Sequence, residues 1–485
     1  DPGMHSSQNE QDNRNYAMMA KMPMFEPSDS QEAKDMTIAA IEISEKYDTP
    51  VIIRTTTRVS HSESIVELSE RKDAPEREFV RDMAKYCVLP NNARKLHVKV
   101  EARQKALAEL GCKIEFNRIE KTSSKIGIIT SGISYCHAKE VFPEASYLKL
   151  GFSYPFPTEL IKKFASEVET LIVIEENDPF IETAVRAMGI SCIGKDRIPV
   201  CGELNPDILH ESLKEFTEKQ MPETVKFEGL DIPLRPPVLC PGCPHRGVFY
   251  TLRKLNCTVT GDIGCYSLGA FAPHNAMHTI VCMGASVTNA LGIEKAMKEK
   301  IHGKLVAVMG ESTFMHSGMT GLLDTVYNKG RHVTMILDNS ITAMTGHQPN
   351  PASGKTLKGE PTKALNIENL CKALGFDNVH VVDPFDLVTV ESTLKTALKD
   401  EQPSVIITKR PCILLKDYKP KVRLVSINRD KCVKCGMCQK LGCPAIEVNP
   451  EDGKTVINQA LCVHCGLCAK VCRPGAITQA EEEVK

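Results

Sequence analysis

Eight cysteines near the carboxyl end form two runs with the same short spacing, which strongly limits how that part of the chain can fold. The first run is Cys432, Cys435, Cys438 and Cys443, and the second is Cys462, Cys465, Cys468 and Cys472. This spacing lets three thiolates of one loop bind three corners of a [4Fe–4S] cluster, while the fourth cysteine of each run binds the other cluster. The pattern therefore predicts one cluster on Cys432, Cys435, Cys438 and Cys472, and another on Cys462, Cys465, Cys468 and Cys443. Two zinc sites are the alternative, since zinc also binds C-x2-C pairs.

The composition indicates a chain of several globular domains in a reducing compartment. Its 485 residues leave room for about three or four domains. Lysine and arginine number 60 against 61 aspartates and glutamates, so the charge points neither to nucleic acid nor to an anionic membrane surface. No apolar run is long enough to span a membrane. The cysteines lie in cluster motifs and apolar stretches, which predicts a cytoplasmic protein rather than a secreted disulfide scaffold.

Short β-rich runs alternate with helical segments along most of the chain, which predicts α/β domains with doubly wound, mostly parallel sheets. One predicted strand, 305–309, ends in Gly310-Glu311-Ser312, and another, 332–337, ends in Asp338-Asn339-Ser340. In an open parallel sheet, ligands bind outside the carboxyl ends of the strands. Carboxylate and amide oxygens there suit a divalent cation that neutralises a diphosphate, although ordinary turns use the same residue types.

Several motifs together resemble those of the 2-oxoacid:ferredoxin oxidoreductases, a family of thiamine diphosphate enzymes. Gly310-Glu311-Ser312 followed by Asn339 resembles the thiamine diphosphate and magnesium motif of thiamine-dependent enzymes. Three further segments resemble signatures of the family: Cys240–His245, Gly261–Tyr266 and Thr342–Pro349. Residues 1–12 resemble a stretch inside the family's pyrimidine-binding domain. The resemblance covers essentially the whole chain.

The resemblance implies four domains, in an order that matches the α subunit of the family's indolepyruvate-type members. Residues 1–115 would be the remainder of a pyrimidine-binding-type domain, 116–230 a transketolase-C-like domain, 231–420 the diphosphate-binding domain, and 421–485 an α+β ferredoxin domain with two [4Fe–4S] clusters. The glutamate with which the family protonates the aminopyrimidine would lie upstream of Asp1. We therefore expect this chain on its own to bind iron and to turn over no 2-oxoacid.

The resemblance also implies which residues bind the thiamine cofactor. Glu311, Asn339 and the carbonyl of Ile341 would hold Mg²⁺, and Glu311 stands where the family usually has the shorter aspartate. Ten further residues would line the cofactor: Ile263, Gly264, Cys265, Tyr266, Met283, Gly284, Gly310, Ser312, Ala343 and Met344. His245 and His347 are candidate acid–base groups because of their motif neighbours.

A third cluster is predicted inside the diphosphate-binding domain. Cys240, Cys243, Cys265 and Cys412 match, in order and approximate spacing, four cysteines that several family members use in this way. A cluster at this position would shorten the path of electrons from the cofactor to the tail. Buried apolar cysteines and a zinc site are the alternatives.

These assignments imply the oxidative decarboxylation of an aryl 2-oxoacid such as indolepyruvate. The acyl group would pass to coenzyme A, and the electrons would leave through the clusters to ferredoxin. The resemblance also implies a smaller β subunit in an α2β2 assembly. Two alternatives stay open: a catalytically incomplete electron-transfer subunit, and a non-oxidative thiamine-dependent decarboxylase. Thiamine diphosphate binding tests the first alternative, and ferredoxin reduction tests the second.

Overall fold

The computed structural model describes residues 2–5, 7–71, 78–222, 236–420 and 423–480. The chain divides into two compact units, Asp1–Leu230 and Asp231–Lys485. The domain boundary predicted at residue 231 falls within 223–235, outside the described residues. The finer division into four domains stays a prediction.

The first unit contains two small sheets and nine α-helices within its described residues. Its strands are β1 (Met24–Phe25), β2 (Ile52–Ile53), β3 (Asn117–Glu120), β4 (Ile126–Thr130), β5 (Ser146–Leu150), β6 (Phe152–Tyr154) and β7 (Thr170–Ile174). Its helices are α1 (Arg14–Ala20), α2 (Ser30–Tyr47), α3 (Thr57–His61), α4 (Met83–Tyr86), α5 (Pro90–Gly111), α6 (Gly132–Val141), α7 (Thr158–Ser166), α8 (Phe180–Ala187) and α9 (Pro206–Leu213). The larger sheet has the order β3-β5-β4-β7, and the smaller one β2-β1-β6.

Apolar residues on both faces bury the larger sheet of the first unit. In β4 and β7 every residue after the first is buried. Ile128 and Ile129 belong to two different apolar cores, because successive side chains of a strand point to opposite faces. The sheet is mixed rather than wholly parallel, since β3 pairs antiparallel with β5 at its edge, a common addition to parallel sheets.

A buried ion-pair network ties α1 to the carboxyl end of β7. Arg14 lies 2.6 Å from a carboxylate oxygen of Asp12 and 2.6 Å from one of Glu175, and all three side chains are almost inaccessible to solvent. Buried charges persist only where they are paired and hydrogen-bonded. Arg14 meets both conditions, because it also donates to the backbone carbonyls of Glu176 and Asp178.

The second unit is organised around a six-stranded sheet in which every strand pair is parallel. Its strands are β8 (Thr258–Gly261), β9 (Thr279–Ile280), β10 (Leu305–Gly310), β11 (Val333–Asp338), β12 (Asn378–Val382) and β13 (Ser404–Lys409). The helices around it are α10 (His245–Lys254), α11 (Ala285–Met297), α12 (Glu311–Thr313), α13 (Met319–Tyr327), α14 (Ile367–Ala373) and α15 (Leu387–Ala397), and one π-helical turn spans Phe314–Gly318. The predicted α/β class and the two predicted strands are therefore confirmed, the strands as β10 and β11.

The strand order places a ligand-binding crevice between β8 and β10. The order is β12-β13-β11-β10-β8-β9, so the chain leaves β8 toward one edge of the sheet and resumes at β10 on the other side of β8. Ligands of open parallel sheets bind where the winding changes direction in this way, outside the carboxyl ends of the strands. The predicted cofactor residues after β8 and β10 lie at this position.

The tail of the second unit folds as two antiparallel strand pairs. β14 (Val425–Ile427) pairs with β17 (Ile477–Gln479), and β15 (Ile446–Val448) pairs with β16 (Thr455–Ile457). A short helix, α16 (Leu467–Val471), lies within the second cysteine run and contains Cys468. β14 precedes the first cysteine run and β17 follows the second, whereas β15 and β16 lie between the two runs. Each cysteine run therefore connects one strand pair to the other.

Across the described ranges, no helix is both long enough and apolar enough to cross a membrane.

Candidate cofactor and cluster sites

The carboxyl ends of β10 and β11 bring the predicted magnesium ligands together. Gly310 pairs with Leu337 in the parallel register, so the residues that follow both strands emerge side by side. The carboxylate of Glu311 accepts a hydrogen bond of 2.9 Å from the backbone N–H of Ile341. The amide oxygen of Asn339 accepts a longer one, 3.3 Å, from the same N–H. Glu311, Asn339 and Ile341 are all buried.

Two neighbouring carboxylates at this strand edge, Glu311 and Asp338, are buried. Burial, and after it the charge of Asp338, raises the pKa of Glu311 to about 8. Burial also raises the pKa of Asp338, against hydrogen bonds from Ser340 and the charge of Lys409, 3.9 Å away. Carboxylate, amide and carbonyl oxygens are the ligands that Mg²⁺ prefers. A divalent cation would therefore relieve the repulsion, and the residues present fit the predicted magnesium.

Asn350 is a supporting residue that the sequence does not reveal. Its side-chain amide donates a hydrogen bond of 3.1 Å to the carboxylate of Glu311, and both residues are buried. This contact holds the longer glutamate side chain against the strand edge. Its position directly after the segment Thr342–Pro349 is the only sequence signal that could have indicated it.

The loop after β8 is anchored by Asp262, whose individual role the sequence does not indicate. Both carboxylate oxygens of Asp262 accept from the N–H of Gly284 at 2.8 Å, and one accepts from the hydroxyl of Ser286 at 3.1 Å. Gly284 has φ +90°, and an added Cβ would lie 2.5 Å from the Ser317 hydroxyl oxygen. The anchored glycine is the N-cap of α11, so Asp262 fixes the start of this helix next to the loop after β8.

The other predicted cofactor residues differ in exposure. Tyr266 is buried, and its hydroxyl donates to the carbonyl of Ile263 at 3.0 Å, so it supports the loop from beneath. Met283 and Met344 are exposed at the rim. Five other predicted cofactor residues are half-buried: Ile263, Gly264, Cys265, Ser312 and Ala343.

The four cysteines of the predicted third cluster line one cavity of about 500 Å³. Its lining includes Cys240, Cys243, Cys265 and Cys412, together with Asn339, Ala343, His245 and His347. The N–H of Cys412 donates to the carbonyl of Asn339 at 2.9 Å, which joins this cavity to the strand edge described above. Burial raises the pKa of the Cys243 thiol to about 12, so iron must displace its proton.

Both candidate histidines reach the same cavity, in different environments. His245 is buried, and its ring lies edge-on to that of Tyr266 with the centroids 6.1 Å apart. Burial lowers the pKa of His245 to about 4, so the ring is neutral at pH 7. His347 is exposed at the end of the short loop that the pair Thr342 and Gln348 closes.

The tail cysteines surround two separate cavities. One, of about 430 Å³, is lined by Cys443, Cys462, Cys465 and Cys468. The other, of about 310 Å³, is lined by Cys432, Cys435, Cys438 and Cys472. The fourth cysteine of each run thus lies with three cysteines of the other run, which is the grouping that two interlocked clusters require.

Within the described residues, no three His, Cys, Asp or Glu side chains converge closely enough to share a single metal ion. The thiols of each set instead stand around a cavity. Ligands of a four-iron cluster must be spread in this way, because each binds a different iron atom at a corner of the cube.

We predict that magnesium-dependent cofactor binding strengthens with pH. The metal-free pKa of Glu311 is about 8, and the cation binds only the carboxylate, so below pH 8 it must displace a proton. The apparent affinity for thiamine diphosphate with Mg²⁺ should rise by up to about tenfold per pH unit from pH 6 to 8 and then level off. Calorimetry across this range measures it. The Glu311→Gln variant has no carboxylate to titrate at this position, so any pH dependence that it keeps comes from the ionisation of the cofactor. An equal rise of cofactor affinity with pH in that variant would contradict the prediction.

Comparison with protein families matches three segments of the chain. Residues 2–104 match "Pyruvate flavodoxin/ferredoxin oxidoreductase, thiamine diP-bdg". Residues 262–408 match "Thiamine pyrophosphate enzyme, C-terminal TPP binding domain", and residues 424–473 match "4Fe-4S dicluster domain". The chain therefore has thiamine diphosphate-binding domains and a domain for two [4Fe–4S] clusters, as the sequence predicts, and the residues that bind them stay a prediction.

Curated relatives cover nearly the whole chain. Indolepyruvate oxidoreductase subunit IorA of Methanothermobacter thermautotrophicus is 36% identical over 98% of this chain and 80% of its own length. The subunit of the same name in Thermococcus kodakarensis is 38% identical over 94% of this chain and 77% of its own length. A solved 2-oxoglutarate:ferredoxin oxidoreductase from Magnetococcus marinus is distant, with 18% identity over 37% of this chain and 65% of that chain and a TM-score of 0.33. The chain therefore belongs to the thiamine diphosphate-dependent 2-oxoacid:ferredoxin oxidoreductases, as a relative of the IorA subunits.

Proposed function

We propose that this chain is the thiamine diphosphate subunit of an indolepyruvate oxidoreductase. The enzyme oxidatively decarboxylates aryl 2-oxoacids, transfers the acyl group to coenzyme A and reduces ferredoxin. The names of the relatives support the aryl substrate, since both are indolepyruvate oxidoreductase subunits. A smaller β subunit completes the enzyme as α2β2, and a third [4Fe–4S] cluster lies in the diphosphate-binding domain.

The observation that carries this proposal is the position of Asn339. Its side chain lies at the predicted magnesium site, beside Glu311, and it also lines the cavity of the four cysteines. Cofactor chemistry and electron removal would thus occur next to each other. A non-oxidative decarboxylase has no use for four thiols at that position, so the arrangement favours the oxidative reaction.

Each part of the site has a task in this reaction. Thiamine diphosphate, when bound, would supply a nucleophilic carbon and an electron sink for the decarboxylation of the 2-oxoacid. Glu311, Asn339 and the carbonyl of Ile341 would hold its diphosphate through Mg²⁺, and the first N–H groups of α11 would stabilise the phosphate charge. His245, neutral at pH 7, would offer a hydrogen bond inside the cavity, and His347 is the candidate acid–base group at its exposed side.

A substrate panel tests the proposal. The chain, purified anaerobically with the subunits that accompany it, is assayed for viologen and ferredoxin reduction with indolepyruvate, phenylpyruvate, pyruvate and 2-oxoglutarate, with and without coenzyme A. We expect kcat/KM for the two aryl substrates to exceed that of the other two by at least about 100-fold. Equal rates with pyruvate would refute the aryl specificity. Aldehyde release without viologen reduction would favour the non-oxidative reaction, and no thiamine diphosphate binding would favour an electron-transfer subunit.

A further inference from the structure

Arg246 is a fully buried cation between two of the cysteine sites. It follows His245 at the start of α10, and only 2% of its surface is exposed to solvent. Its guanidinium donates to the carbonyls of Leu239, of Cys240 at 3.1 Å and of Leu441 at 2.8 Å. Two of these carbonyls belong to the loop of the predicted third cluster, and the last precedes Cys443 in the tail.

No carboxylate balances the charge of Arg246 within the described part of the chain, because none of the ion pairs there includes it. Burial lowers the pKa of Arg246, and the ionisable groups that oppose this effect are thiols from both sites: Cys443 and Cys465 of the tail, and Cys243 and Cys240 of the loop. Arginine stays protonated in proteins, and an unpaired buried charge is costly. The guanidinium is therefore held in place for an anionic partner that these thiols would carry.

A [4Fe–4S] cluster is such a partner. Four thiolates give it a net negative charge that increases on reduction, and its potential depends on nearby charge and on hydrogen bonds. Arg246 lines the tail cavity of Cys443, Cys462, Cys465 and Cys468, but not the cavity of Cys432, Cys435, Cys438 and Cys472. Its charge should therefore affect the two tail clusters unequally.

The loop and the tail approach each other closely at this point. Leu239, Cys240 and Cys243 line the third-cluster cavity, whereas Pro241 and Gly242 between them line the tail cavity. Gly242 has φ +73°, and an added Cβ would lie 2.5 Å from the Cγ2 of Val463. The hydrogen bonds of Arg246 join these same two segments, which keeps its charge at a fixed position between the cysteine sets.

We propose that Arg246 is a positioning residue whose charge raises the reduction potential of the tail cluster held by Cys443, Cys462, Cys465 and Cys468. This cluster is thereby the better electron acceptor of the two in the tail and faces the predicted third cluster. The inference deepens the proposed function and depends on its cluster assignments. It does not depend on the identity of the 2-oxoacid.

A potentiometric titration tests this inference. The midpoint potentials of the clusters are followed by electron paramagnetic resonance in the anaerobically purified full chain. In Arg246→Gln, one tail cluster should shift to a more negative potential while the cluster of Cys432 keeps its wild-type value. Arg246→Lys, which keeps the charge, should stay near wild type. Arg253→Gln removes a charge from an exposed position of the same helix and should shift neither cluster.

Several outcomes would overturn the proposal. One is unchanged potentials in an Arg246→Gln variant that keeps its iron. Another is an equal shift of both tail clusters. If Arg246→Gln loses iron, the Arg246→Lys variant provides the test instead. Full iron content and wild-type potentials in Arg246→Lys support the role of charge. A lysine variant that also loses iron, or whose potential falls, shows that packing or hydrogen bonding is what matters. The substrate panel measures turnover and does not depend on the cluster potentials. A failure of the proposed function can therefore be distinguished from a failure of the inference about Arg246.

Discussion

The Asn339→Ala variant is expected to lose thiamine diphosphate binding, with the apparent affinity falling by at least about 100-fold. Asn339 supplies a neutral oxygen at the edge where two buried carboxylates, Glu311 and Asp338, already repel each other. Alanine leaves Mg²⁺ with one ligand fewer, and Mg²⁺ tolerates poor octahedral geometry badly. Calorimetry with Mg²⁺ and the cofactor measures the loss.

The tail clusters serve as an internal check on that variant. Their eight cysteines line two cavities to which Asn339 does not belong, so their spectra should be unchanged. Asn328→Ala, at an exposed position after α13, is the matched control and should bind the cofactor normally. Wild-type affinity in Asn339→Ala would remove the magnesium assignment and leave Gly310-Glu311-Ser312 as an ordinary turn.

Iron analysis should give about twelve atoms per anaerobically reconstituted chain, against about eight in the Cys412→Ser variant. Cys412 lines the same cavity as Cys240, Cys243 and Cys265, and serine is a poor substitute for a thiolate ligand of iron. Loss of this cluster should also slow ferredoxin reduction many-fold, because it removes the relay nearest the cofactor. Colorimetric iron determination and the rate of ferredoxin reduction measure the two effects.

Cys257→Ala is the control for the iron count. Cys257 is buried in the apolar core of the same sheet and lines none of the three cysteine cavities, so its removal should leave about twelve iron atoms. The third cluster would be disproved by eight atoms in a fully reconstituted wild-type chain in which Cys240 and Cys243 react freely with an alkylating reagent.

Local spacing explains why much of the site could be anticipated. A strand that ends in a carboxylate places it at the sheet edge whatever the rest of the fold, so the strand pattern could bring Glu311 and Asn339 to one edge, and the family resemblance made them magnesium ligands. The same holds for the cysteine runs, because two intervening residues determine which thiols share a loop. These features depend on contacts between residues close in sequence or on the common geometry of parallel sheets.

Contacts between distant segments were beyond the reach of the sequence. Asn350 supports Glu311 only because the chain folds back between Thr342 and Gln348, and Arg246 meets the carbonyl of Leu441 across 195 positions of sequence. The antiparallel pairing of β3 with β5 is a similar case, because it depends on which edge of the folded sheet has no other neighbouring strand. Arg14 would be taken from sequence for a surface charge, yet it is buried among carboxylates.

The loop from Leu239 to Cys243 has a consequence for how the protein withstands oxygen. Different residues of this one loop line two neighbouring cavities, so the predicted third cluster, if present, would share part of its cover with the tail cluster of Cys443, Cys462, Cys465 and Cys468. Oxidative loss of iron from either site would loosen that common cover and admit solvent to its neighbour. Damage to these two clusters should then occur as a pair, and repair in the cell would have to restore both before the loop closes again.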